Sequence, residues 1–294
     1  MLANLFMNII DAHNLACPID GKSLEHIDKQ FVCENGHTYD IARQGYVNLL
    51  PVQYKRSKEP GDSKVMVSAR TQFLDTGVYQ PIGAVVNELV LEQIINDKDV
   101  CIMDAGCGEG YYFNSLLNFL SDDSRETNLS LVGLDISKDA IIQSTKRNKR
   151  ISWVVGTNRQ PPVLEKSVDI ILCMFGFLSI DAFSKLLKPG GKIILVEPAS
   201  RHLQELRKII YPEVRTKSLS VNNLLKDSGF SLLKTEALHY NVKLSSNDQI
   251  NHLLVMTPHF YRASKEGREA ACKLQEIDIT IDVNFSVLQK TSDA

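Results

Sequence analysis

The sequence predicts an α/β fold built on a mostly parallel, doubly wound sheet, preceded by a small module of a different kind. Three observations lead there. From Ile82 onward, short apolar runs of strand length alternate with segments of helical spacing. The first of those strands runs straight into a glycine-rich loop, Asp104-Ala-Gly-Cys-Gly-Glu-Gly-Tyr-Tyr112. The first fifty residues, by contrast, are short polar and aromatic pieces broken by the turn signals Asp20-Gly21 and Asn35-Gly36.

Residues 1–50 are therefore read as the small module and residues 51–81 as a basic linker, partly helical, carrying Pro51, Pro60-Gly61 and Pro81. Residues 82–294 are read as the α/β domain. It opens with IGAVVNELVLEQII, whose apolar positions recur at helical spacing. VCIMDAG follows as a buried strand, LSLVGLD as a second, and SKDAIIQSTKR as a helix opened by Ser137. ISWVV and VDIILCMF are the third and fourth strands, DAFSKLL a short helix, KPGG a turn and KIILVEP the fifth strand. Two late alternating segments, FSLLKTEALHY and QEIDITIDVNFSVL, are expected to add an antiparallel pair at the far edge.

With 44% hydrophobic and 23% charged residues in a chain of 294, wholesale disorder is excluded. The longest apolar run, Ile170 to Leu178, is nine residues, against the roughly 20 that a membrane-spanning helix needs. MLANLFMNII lacks the basic start of a secretory signal, so a cytoplasmic protein is expected. Cys101, Cys107, Cys173 and Cys272 read as buried free thiols. The net charge of −2 alone argues against a nucleic-acid partner, but it is a cancellation. Arg43, Lys55, Arg56, Lys58, Lys64 and Arg70 face only Glu59 and Asp62, a local charge of +4. Residues 201–220 hold five basic residues against two acidic ones, or +3, which leaves −9 for the rest. Two basic strips on an acidic body favour phosphate contacts.

The glycine loop is the strongest chemical signal. Gly106, Gly108 and Gly110 permit a tight turn and close approach of the backbone to a ligand, in front of a helix N-terminus. The next strand ends in Asp135, placed to accept hydrogen bonds from ribose hydroxyls. The pattern is D-x-G-x-G-x-G rather than the dinucleotide fingerprint G-x-G-x-x-G. Adenosylmethionine has no pyrophosphate to cradle, but its amino group and sulfonium suit an acid-lined loop. A methyltransferase is thus favoured over an NAD enzyme.

Near the start, Cys17-Pro-Ile-Asp20 is separated by twelve residues from Cys33-Glu-Asn-Gly-His37. Two such knuckles are the spacing of a structural zinc site, with Cys17, Cys33 and His37 as ligands and Asp20 at the fourth position.

Further motifs carry a resemblance. Gly45-Tyr-Val-Asn-Leu-Leu-Pro-Val-Gln53, Pro60-Gly-Asp-Ser63, Gly77-Val-Tyr-Gln-Pro81, Arg201-His-Leu203 and Met256-Thr-Pro258, together with the glycine loop, resemble the 23S rRNA guanine-N1 methyltransferase family. The resemblance runs from about Cys17 to near the C-terminus. It implies a Rossmann-like class I methyltransferase fold behind a zinc-ribbon RNA-recognition module, assembled as a homodimer. The implied substrate is one guanine in hairpin thirty-five of domain II of 23S rRNA. The implied adenosylmethionine ligands are Tyr79, the Gly108-Glu109 pair and His202, and the implied zinc ligands are Cys17, Cys33 and His37. The chain departs from the family at Asp20, where a cysteine is usual, and at Met174-Phe-Gly-Phe-Leu178, which replaces a proline-containing run.

Guanine N1 carries a proton, so methylation needs a base, a stabiliser for charge on O6 and alignment with the methyl group. Glu197, at the end of the fifth strand, is the candidate general base. Asp181 reads as the N-cap of DAFSKLL rather than as a catalyst. Arg43, Tyr46, Lys55, Arg56, Lys58 and Arg70 are the expected RNA contacts; Tyr46, Tyr54 and Tyr79 could stack on bases or pack in the core. Two other functions compete: a small-molecule methyltransferase, which would need neither knuckle nor basic stretch, and an RNA-binding relative with weakened turnover.

Overall fold

The computed structural model describes residues 8–55, 57, 59–94, 99–121, 127–211, 221, 225–226 and 228–291. Apolar runs without alternation become central strands buried on both faces. These are β6 (Asp99–Ala105), β7 (Asn128–Asp135), β8 (Ser152–Val155), β9 (Val168–Met174) and the inner part of β10 (Leu187–Pro198). At the far edge, β11 (Phe230–Leu244) and β12 (Ile277–Lys290) form the expected antiparallel pair. The order is β11-β12-β10-β9-β6-β7-β8-β5, with β12 the antiparallel member of the body. The strand order reverses between β6 and β9, which opens a crevice at their C-terminal ends.

The first fifty residues contribute to this sheet. Strand β1 (Asn8–Ile10) pairs with the first half of β7, while β8 takes the second half. Strand β5 (Tyr46–Asn48) extends the sheet by pairing in parallel with β8, Tyr46 opposite Trp153. Between them, β2 (Leu24–Ile27), β3 (Gln30–Cys33) and β4 (Thr38–Asp40) make a separate antiparallel sheet. Its core is fused to the body: Leu15, Cys17, Leu24 and Cys33 share one apolar cluster with Val163, Val168 and Phe183. A boundary at residue 50 falls just after a strand of the large sheet.

Helices α1 (Lys64–Leu74), α2 (Gln80–Gln93), α3 (Tyr111–Ser121) and α4 (Lys138–Arg147) pack on the other face. Ser63 and Ser137 cap α1 and α4 through their hydroxyls. In the stretch read as a linker, Gly61 is pressed onto the turn after β7, where a Cβ would lie 2.9 Å from Ser137. The Ser137 hydroxyl donates to Asp62 O at 2.7 Å, so residues 61–70 roof the crevice.

Three local expectations change. KPGG is no turn; it is a bulge inside β10, with Gly190 at φ +75° and the register slipping between Leu187 and Lys192. Asp181 is not the cap of α5 (Ile180–Leu186); Ser179 holds that position and Asp181 sits in the first turn. Cys272 is exposed at the end of α9 (Lys265–Cys272), which follows α7 (Asn247–Val255) and α8 (His259–Arg262). Among the described residues, no helix is long and apolar enough to cross a membrane.

Candidate active site and metal centre

The crevice is a cavity of about 1300 Å³, floored by the glycine loop and walled by β7, β9, β10 and the roof over residues 61–79. Gly106, Gly108 and Gly110 all have positive φ, of +91°, +56° and +84°. The loop is anchored to the second strand: Gly106 and Cys107 donate to Leu134 O, and Gly108 N donates to Asp135 Oδ2 at 2.9 Å. Ser137 N takes the other Asp135 oxygen at 2.7 Å. Asp135 is thus oriented by backbone amides, and each oxygen keeps a lone pair for a further donor. Burial raises its pKa against those hydrogen bonds.

Asp104 is 1% exposed, and its Oδ1 has no hydrogen-bond partner among the described residues. Burial, with Asp135 nearby, pushes its pKa up to about 8. Glu109 is equally buried; one oxygen accepts from Arg147 Nε, and Arg147 bonds Asp75 at 2.9 Å. The sequence shows α4 ending in Arg147 but gives no sign of this pairing across α3.

Tyr79 and His202 meet across the cavity wall, Oη to Nε2 at 3.2 Å. Asp282 N donates to His202 Nδ1 at 3.3 Å, so the neutral ring carries its proton on Nε2 and donates it to Tyr79. Tyr79 O–H is left to donate to whatever enters. Burial, aided by His259 and Arg207, pushes the His202 pKa down to about 4. Phe175, at φ +52°, stacks on His202 with ring centroids 6.1 Å apart. Glu197 pairs with Asn284 in the sheet, and the cavity lining passes from Met174–Phe177 to Pro198 without it.

In the small sheet, the ligand atoms of Cys17, Asp20, Cys33 and His37 all lie within 4.8 Å of one another. Asp20 Oδ2 to His37 Nδ1 is 3.1 Å, Cys33 Sγ to His37 Nδ1 3.2 Å, Cys17 Sγ to His37 Nδ1 3.5 Å and Cys33 Sγ to Asp20 Oδ2 3.6 Å. Zinc bonds of about 2.0–2.3 Å require tetrahedral edges of roughly 3.3–3.8 Å. Two of the observed edges fall inside this range and two lie 0.1–0.2 Å below it, so the four atoms are gathered as a zinc ion would need, with Asp20 standing at the fourth ligand position. Asn35 Nδ2 and Lys22 N hold its two oxygens, and the Tyr39 hydroxyl lies 3.1 Å from Cys17 Sγ. These outer contacts orient the ligands.

Comparison with known proteins agrees with both sites. A zinc-ribbon model described as "RlmA, N-terminal" matches residues 15–58, and a model described as "Methyltransferase domain" matches residues 102–191. The chain is 27% identical over 280 residues to a Streptomyces fradiae protein named 23S rRNA (guanine(748)-N(1))-methyltransferase, covering 93% of this chain and 95% of that one. YxjB of Bacillus subtilis, provisionally named a 23S rRNA (guanine-N(1)-)-methyltransferase, is 30% identical over 288 residues, 96% of this chain and 99% of that one. The chain belongs to the 23S rRNA (guanine-N1)-methyltransferase family.

The cavity suits adenosylmethionine. Asp104 Oδ1 and Tyr112 Oη are buried polar atoms without partners among the described residues, and both border it. Adenosylmethionine supplies an electrophilic methyl group there; Gly106, Gly108, Glu109, Gly110, Asp135, Tyr79 and His202, all on the cavity lining except Gly110, are the residues that would hold it. A cation entering beside Asp104 favours its ionised form. Cofactor binding at pH 7 is therefore expected to expel close to one proton per site, read by calorimetry in buffers of different ionisation enthalpy. Asp104→Asn should abolish that release.

The expected RNA contacts separate. Arg43 and Lys55 are exposed, while Arg56 and Lys58 lie outside the described residues. Tyr46 is buried at 6% exposure, so its ring packs in the core and is not free to stack on a base. Arg70 turns inward, bonding Asp62 and Met256 O, and lines the cavity instead of the outer surface.

Proposed function

We propose that this protein transfers the methyl group of adenosylmethionine to N1 of a guanine in hairpin thirty-five of domain II of 23S rRNA. What carries the reading is the likeness to relatives named for guanine-N1 methylation, which continues across both the zinc ribbon and the methyltransferase domain. The site supports it physically. A cavity of about 1300 Å³ exceeds the roughly 300–1000 Å³ of a single small-ligand pocket, leaving room for a base beside the cofactor. At its mouth, Phe177 is 56% exposed with the Arg159 guanidinium 5.0 Å over its ring. Aromatic and guanidinium planes of this kind stack on unpaired bases. Such a base must leave its stack to reach the cavity.

The homodimeric state and cytoplasmic location of the family belong to the same proposal. Arg43 and Lys55 reach solvent beside the zinc ribbon, where they can meet phosphates. Reversing Lys55 and Arg56 together should weaken RNA binding at every salt concentration. The slope of log affinity against log salt should fall by roughly 0.7–0.9 for each phosphate that is no longer neutralised. Unchanged slope would remove this strip from the interface.

Incubation with labelled adenosylmethionine, unmodified 23S rRNA and a metabolite extract tests the function. Label in rRNA supports the proposal. Label only in a metabolite identifies a small-molecule methyltransferase, and RNA binding without label identifies a relative that has lost turnover.

A further inference from the structure

The far end of the cavity is built by residues that the glycine loop and its acids do not use. Helix α6 (Gln204–Ile210) ends at Tyr211, whose Oη lies 2.8 Å from Nδ1 of His259 at the start of α8. The two rings meet edge to face at 5.6 Å, and both line the cavity. Arg207 of α6 and Arg262 of α8 line it beside them. Arg207 Nη1 donates to Ser200 O at 2.9 Å and His202 O at 3.4 Å, tying this end to the His202–Tyr79 pair. His259 Nε2 has no partner among the described residues.

We propose that His259 is the general base that takes the proton from guanine N1, with Tyr211 as its positioning residue and Arg262 as the cation that stabilises charge on O6. This rests on the guanine-N1 reading above. In this proposal Tyr211 Oη, 2.8 Å from Nδ1, takes the Nδ1–H, the arrangement in which the Nε2 lone pair is available. The N1 proton passes to Nε2, and the electron pair left on N1 forms the bond to the methyl carbon. The carbon–sulfur bond breaks with its pair retained by sulfur. The positive charge of the sulfonium thus reappears as imidazolium, which returns its proton to water.

The surroundings suit this role. Burial lowers the His259 pKa, and Arg207 and Arg262 lower it further, so the ring is neutral and able to accept a proton at pH 7. The same cations favour a guanine that carries negative charge as its proton leaves. His202, the other nearby imidazole, is excluded as the base because both of its nitrogens are already engaged, by Asp282 N and Tyr79 Oη.

The test uses the full-length protein with adenosylmethionine and unmodified 23S rRNA, scoring 1-methylguanosine in nuclease digests. His259→Gln should lower kcat by about 100-fold or more while leaving adenosylmethionine affinity within threefold. His259→Ala should regain part of the rate with added imidazole. The wild-type rate should fall on acidification with an apparent pKa below the ordinary imidazole value, and Tyr211→Phe should shift that limb. Wild-type turnover by His259→Gln would overturn the proposal. If that variant fails to fold, a wild-type profile without the acid limb would overturn it. Absence of 1-methylguanosine from the wild-type digest would instead overturn the guanine-N1 reading on which it stands.

Discussion

Cys33→Ser is expected to strip the protein of zinc and to unravel residues 15–40 while the large sheet still binds adenosylmethionine. The three-stranded sheet is too small to stand alone. Its strands are three or four residues long, and Ile19 and Ile27 are exposed at 61% and 46%. Structural zinc contributes about 10–16 kcal/mol to such modules, far more than their apolar burial. Without metal, two sulfurs, a carboxylate and an imidazole would be held at 3.1–3.6 Å with no cation between them. The damage should reach the body in part, because Cys17 and Leu24 share a cluster with Val163 and Val168. Hydrogen exchange and zinc content together read the outcome. Asp20→Cys should move the other way, holding zinc longer against a chelator. Unchanged protection in Cys33→Ser would show that the ribbon stands without metal.

Gly110→Ala is expected to be the most damaging single methyl addition in the glycine loop. Its φ of +84° is outside the range an alanine adopts comfortably, and the added Cβ would lie 2.8 Å from both Ser144 Cβ and Trp153 Cη2. Left-handed backbone costs about 1–2 kcal/mol and overpacking typically 1–3 kcal/mol. The sum of roughly 2–5 kcal/mol should lower Tm by on the order of 10 °C, with loss of cofactor binding. Gly108→Ala is the contrasting case. Its φ of +56° lies in the ordinary left-handed well, and the nearest atom to a Cβ is Arg70 Cδ at 3.7 Å. That variant should fold nearly normally, so a cofactor defect in it reports on the cradle itself. Equal Tm losses in the two variants would contradict this packing account.

How far the sequence carries depends on the range of the physics involved. Strand, glycine loop and following helix were legible at 99–121 because a buried apolar run and a requirement for positive φ are local properties. The edge pair β11–β12 was legible through its alternation. Strands β1 and β5 were not: three residues show no periodicity, and their strand character comes from docking against β7 and β8. Tyr46 looked available to RNA because its neighbours are basic, yet pairing opposite Trp153 buries it. Arg70 belonged to a charge strip in sequence, but Asp62, eight residues earlier, turns it inward. The Glu109–Arg147–Asp75 chain and the Tyr211–His259 pair join residues 38 to 72 positions apart. No spacing rule reaches that far. Asp20 was legible as a ligand position from its place in the knuckle, and its carboxylate lies within 4.8 Å of the ligand atoms of Cys17, Cys33 and His37.

The central claim is that one guanine of 23S rRNA is methylated on its base-pairing edge. A methyl group on N1 blocks reverse transcriptase, so primer extension on rRNA treated with this protein and adenosylmethionine reads the position directly. The account predicts one new stop at a guanine in hairpin thirty-five, dependent on both protein and cofactor, with 1-methylguanosine in the digest. Methyl incorporation without a stop, or on another atom of the base, would contradict it.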